Sequence, residues 1–231
     1  MTNNGARSVV LTHGAWADGS SWSTVIDRLH GSGVRAYAAP LPLTSLTADV
    51  AALERVIDRV EGPVLLVGHA YAGAVIGSVR PERVAGLVYV AALAPDKGET
   101  VADVFHRGTP HPSAPELAPD GDGLIWLPDA AFSDAFAQDA SPAQQALLTA
   151  VQRPIAVDCI STAVTEPVWR TRPSWYFVAE DDRMITAESQ RYMAERMHAT
   201  TTSVRAGHMP MITTPEPVAD LILSALDATA E

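Results

Sequence analysis

Lysine and cysteine are nearly absent: Lys97 and Cys159 are the only ones among 231 residues. A lone cysteine excludes an internal disulfide framework. With a formal net charge of -11, the chain lacks the positive surface that nucleic acid or an anionic membrane would attract. No apolar run approaches the roughly 18 residues of a membrane span. Residues 1–7 carry a charge with no apolar segment after it, so no signal peptide is expected and the cytoplasm is the expected location. Repeats, heptads and low-complexity tracts are missing too. The most consequential absence is a hydroxyl: the tip of the sharpest corner in the chain is Ala70.

What is present suits one α/β domain. The hydrophobic content of 47% is enough for a large core. Apolar runs with strand length fall at residues 8–12, 34–38, 63–67, 84–90, 175–179 and 202–204. Between them lie helical patterns. One is capped by Ser20 or Ser21 and stops at Gly31 and Gly33, and others cover residues 47–60, 187–197 and 217–226. Strands alternating with helices predict a mostly parallel sheet covered on both faces, with ligands outside the carboxyl ends of its strands. Composition changes at residues 95–123, which are rich in Pro, Gly, Asp and His, and a helical pattern returns over 129–151. Because the alternation then resumes, residues 96–169 read as an inserted helical cap within a single domain spanning 1–231.

Four loops at expected carboxyl ends carry polar or small residues. They are His13-Gly14-Ala15, the corner Gly68-His69-Ala70-Tyr71-Ala72-Gly73, Glu180-Asp181-Asp182, and Gly207-His208. A strand that turns this sharply into a helix needs residues without bulk, and it lifts the tip side chain above the sheet. In chain order the loops supply a tip residue, an acid and a histidine. A histidine can move a proton near neutral pH, a buried carboxylate can hold its tautomer, and paired backbone amides can stabilise an oxyanion. The amides of Ala15 and Tyr71 are the candidate donors. The residues alone leave Glu180, Asp181 and Asp182 open as the acid.

With these motifs, and with Trp16, Pro40-Leu41-Pro42 and Arg183-Met184-Ile185, the sequence resembles the α/β-hydrolase superfamily over nearly its whole length. It is most similar to small esterase-like members that include plant methylesterases and hydroxynitrile lyases. The resemblance implies the α/β-hydrolase fold with a cap, Asp182 as triad acid, His208 as base, and an oxyanion hole from the Ala15 and Tyr71 amides. Ala70 stands where the family has its nucleophilic serine. Ala72, where the motif has glycine, is a milder change.

Other features have plainer readings. His13 and His69 flank the candidate amides and read as structural. His106 and His111 have no recognised ligand spacing, so no metal or cofactor is expected. Cys159 reads as a small core residue. The glycines at 68 and 73 match a phosphate loop, but Ala74-Val75 stands where Lys and Ser/Thr should follow. Of the aromatic residues, Trp16, Trp126, Phe132 and Phe136 are the candidates to line an apolar substrate pocket.

Three functions follow. The first is a serine-type hydrolase for a small, moderately apolar carboxylic ester, with alanine put in place of serine at position 70 so that substrate is trapped. The second is a native-alanine enzyme in which His208 and Asp182 act as a general base, in a lyase, cyclase or cofactor-free oxygenase. The third is a small-molecule binding protein that has lost its hydrolytic step.

Overall fold

The structure, a computed structural model, describes residues 8–230, so the expectation drawn from residues 1–7 lies outside it. Its elements in order are β1 (Ser8–Thr12), α1 (Ser23–Gly31), β2 (Arg35–Ala39), α2 (Leu46–Asp58), β3 (Val64–His69), α3 (Ala72–Gly77) and β4 (Val84–Val90). An excursion follows with α4 (Val101–Phe105), β5 (Leu124–Ile125), α5 (Asp129–Ala131), α6 (Pro142–Val151), β6 (Ile155–Ala156) and α7 (Val157–Ser161). The chain closes with β7 (Ser174–Ala179), α8 (Ala187–Arg196), β8 (Thr200–Val204), α9 (Pro210–Thr213) and α10 (Pro215–Ala228).

The main sheet has the order β2-β1-β3-β4-β7-β8, and every pairing in it is parallel. Successive side chains of a strand point to opposite faces. Every residue of β1, β3 and β7 is buried, so both faces of the sheet centre are covered. That is why these strands read as unbroken apolar runs. At the two edges the pattern relaxes: β2 alternates, and β8 carries exposed Thr200, Thr201 and Ser203. Helix α1 packs on α10, and α2 packs on α3.

Local chemistry sets several boundaries differently from the sequence pattern. Asp18, in an extended conformation, caps a short 3-10 turn (Gly19–Trp22) by accepting from the Ser20 amide, and α1 starts only afterwards at Ser23. The Asp18 carboxylate thus takes the cap that Ser20 or Ser21 was expected to provide. The helical pattern of residues 129–151 is split. Helix α5 runs into a π-helical turn (Phe132–Phe136), and α6 begins anew at Pro142. Pro142 cannot continue a helix from before it, whereas Ser141 and Gln144 form a reciprocal capping box at that point. Among the described residues, no helix is long and apolar enough to cross a membrane.

Candidate active site

The corner after β3 is built by close approach. A Cβ at Gly68 would meet the carbonyl oxygen of Ala72 at 2.8 Å, and one at Gly73 would meet that of Leu93 at 2.3 Å. Only glycine lets β3, α3 and the chain leaving β4 come this near. Between them Ala70 sits at φ 49°, a left-handed conformation that costs an alanine about 1–2 kcal/mol. The surrounding bonds hold it there: the Ala70 N–H donates to Val90 O, and its carbonyl accepts from Leu93 N at 2.9 Å and Gly73 N at 3.1 Å.

Two other loops bring Asp182 and His208 together. His208 Nδ1 lies 2.8 Å from Asp182 Oδ2, with both side chains buried. Asp182 is fixed by three more donors: the amides of Met184 and Ile185 on Oδ1, at 2.8 and 2.9 Å, and Gln190 Nε2 on Oδ2 at 2.8 Å. A carboxylate this well satisfied accepts the Nδ1–H and leaves the lone pair of the imidazole on Nε2. Asp181 turns outward to Arg205, and Glu180 pairs with Arg191. Of the three acids, Asp182 is the one whose carboxylate meets His208.

Two neutral histidines frame the site. His13 donates Nδ1–H to Gly14 O at 2.9 Å and accepts the Leu41 amide on Nε2 at 3.0 Å. Burial lowers its pKa to about 4. His69 donates Nε2–H to the His208 carbonyl at 2.8 Å, and burial keeps its pKa well below the ordinary value.

A cavity of about 550 Å³ opens above the corner. Ala15, Ala70, Tyr71 and His208 line it together with the apolar residues Val101, Phe105, Leu117, Ile125, Met184 and Ile185. The N–H groups of Ala15 and Tyr71 donate to no protein acceptor among the described residues. Trp16 lines the cavity, and its Nε1–H donates to Ile125 O at 2.9 Å. The other three aromatic candidates do not line it. Trp126 is 48% exposed and donates to Asp120, because it stands just past β5, outside the two-residue pairing of β5 with β6. Phe132 and Phe136 are fully buried behind the wall, where Phe136 packs on the ring of His208 at 5.4 Å and on Trp16 at 6.1 Å. His106 and His111, read from sequence as solvated loop residues, stand on the cavity wall with Glu116. Among the described residues, no group of three or more His, Cys, Asp or Glu could hold a metal ion.

The sequence reading also missed Asp49. It is fully buried, accepting from Leu43 N and Tyr71 Oη, each at 2.7 Å, with the Cys159 thiol at 3.6 Å. Burial raises its pKa, and burial likewise pushes the Cys159 thiol up to about 12, with the Asp49 charge adding to the shift. A signal was present: Asp49 falls between Leu46 and Leu53 on the apolar side of α2, where a solvated charge does not belong.

Residues 9–221 match the alpha/beta hydrolase family. The chain belongs to that family. Its relatives include a pyrethroid hydrolase of Sphingobium wenxiniae, 27% identical over 252 residues that cover 96% of this chain and 89% of that protein. A solved pyrethroid hydrolase carrying a serine-to-alanine substitution is 25% identical, with a TM-score of 0.83 over 97% of this chain and 99% of that one. Polyneuridine aldehyde esterase shares the fold at a TM-score of 0.78, with 18% identity over 94% and 98% of the two chains. A hydrolase of esterase type is the function these family members support.

Proposed function

We propose that this site hydrolyses carboxylic esters of small, moderately apolar molecules through a nucleophile at position 70, and that the alanine there holds it in a substrate-trapping form. The observation carrying the reading is the convergence of four loops on one cavity. Ala70 keeps a left-handed tip conformation there, beside an Asp182–His208 pair at 2.8 Å and two amides without acceptors. A strained tip costs stability and has a use only if its side chain must be presented upward.

With serine at position 70, His208 Nε2 takes the hydroxyl proton as Oγ attacks the ester carbonyl. The tetrahedral oxyanion lies between the Ala15 and Tyr71 amides. His208 returns the proton to the leaving alcohol, then activates the water that releases the acid. Asp182 keeps the imidazole oriented and stabilises its charged form. Residues 96–169 act as the cap, since α4, the loop after it and the paired strands β5 and β6 supply the apolar side of the cavity. That lining favours uncharged acyl and alcohol groups. The partner is thus a small-molecule ester, with no cofactor taking part.

The test is Ala70→Ser, assayed on nitrophenyl esters of increasing chain length and on benzyl esters. Turnover should rise by about 10⁶-fold over the present chain, the order of loss when a serine protease loses its nucleophile. Absence of ester turnover in the restored protein overturns the reading.

A further inference from the structure

Removing a nucleophile does not remove the base or the oxyanion site, and here both remain open to the cavity. The Nδ1 side of His208 is committed to Asp182. Its Nε2 is not among the buried polar atoms sealed off without a partner, and His208 lines the cavity beside Ala70. A hydroxyl at position 70 would occupy the Nε2 lone pair by hydrogen bonding and would add to any carbonyl seated over it. The methyl of Ala70 does neither. The base therefore faces the bound molecule directly, under an apolar roof that strengthens electrostatic interactions.

We propose that the chain with Ala70 catalyses enolisation of apolar ketones and 1,3-dicarbonyl compounds, abstracting a proton from the carbon next to the carbonyl. The C–H bond breaks and its proton goes to Nε2 of His208. The C–H electron pair forms the carbon–carbon double bond, and the carbonyl π pair settles on oxygen. That oxygen is an oxyanion of the same kind as an ester intermediate, so the Ala15 and Tyr71 amides serve it equally. Return of a proton from Nε2–H to carbon regenerates the ketone, and exchange of that proton with solvent labels it. No oxidant, metal or cofactor enters the balance. This activity goes beyond the hydrolytic reading and shares with it only the base and the amides.

Two measurements on the unaltered chain test it. In deuterium oxide, proton NMR of benzylacetone should show deuterium entering beside the carbonyl about 10²-fold or more faster than in buffer, the low end of general-base catalysis. Benzoylacetone should bind one to one with the ultraviolet absorption of its enolate. His208→Gln, which keeps a polar side chain of similar reach, should reduce both signals to background. No exchange above buffer together with no enolate absorption overturns the proposal, as does exchange undiminished in His208→Gln. Ester turnover in Ala70→Ser without exchange in the present chain removes enolisation alone. Exchange without ester turnover in Ala70→Ser removes the hydrolytic reading alone.

Discussion

His69 donates its Nε2–H to the main-chain carbonyl of His208 at 2.8 Å, so the residue preceding the corner tip holds the backbone of the base. The two rings stand 4.7 Å apart. Position 70 and the His208 imidazole are therefore set relative to each other through one buried side chain, not by loops that close independently. The left-handed tip and the buried Asp182 pair are thus linked through His69.

Asp182→Asn tests the acid in the Ala70→Ser background. The Asn oxygen can still accept the Met184 and Ile185 amides, but its NH2 would face both His208 Nδ1 and the donating Gln190. The imidazole then favours the wrong tautomer, and kcat should fall about 10⁴-fold, as it does when a serine protease loses this carboxylate. Steady-state kinetics, with circular dichroism to verify folding, measure it.

Stability should depend on pH through the buried histidines. His13 has a folded pKa of about 4 against an ordinary 6.5, and His69 is lowered as well. Between those values the unfolded chain binds more protons than the folded one, so stability is lost as pH falls from 6.5 towards 4. At 1.36 kcal/mol per unit, His13 contributes about 3 kcal/mol to that loss. Asp49 acts in the opposite sense. Its raised pKa means that stability falls as pH climbs above the ordinary carboxylate value of 3.8. Urea unfolding at pH steps should show the histidine-driven decline, with Asp49→Asn removing the opposing slope.

Gly73→Ala should be severely destabilising. Its Cβ would lie 2.3 Å from the Leu93 carbonyl, which is backbone and cannot swing away. A loss of about 3 kcal/mol or more is expected from such a clash, read as a lowered urea midpoint. Gly31→Ala, with open space around its Cβ, is the control.

Two tryptophans should separate. Trp16→Phe leaves the Ile125 carbonyl without its donor and should cost about 1–3 kcal/mol. It should also raise KM in the Ala70→Ser protein by loosening β5, whose Ile125 lines the cavity. Trp126→Phe lies on the surface and should stay within about 0.5 kcal/mol, with KM unchanged. Equal KM effects from both would mean that the Trp16–Ile125 hydrogen bond has no particular part in shaping the cavity.

Much of this protein was legible along the chain because its periods are local. Buried parallel strands such as β1 and β3 must be apolar throughout, and the Gly68–Gly73 corner must be small wherever it occurs. The sequence by itself therefore determined the sheet, the sharp turn and the order of tip, acid and histidine. Tertiary structure decided what depends on residues far apart in the chain. It brought Asp182, not Asp181, to His208, with Met184, Ile185 and Gln190 converging on the same carboxylate. It placed Trp126 outside and Phe136 behind the wall, since hydrophobicity alone does not specify which side of a cavity an aromatic ring takes. It also gave Asp49 its buried partners Leu43 and Tyr71, joining α2 to the corner through a contact across 22 residues. Composition encodes which residues leave water; only packing decides which of them face the empty space.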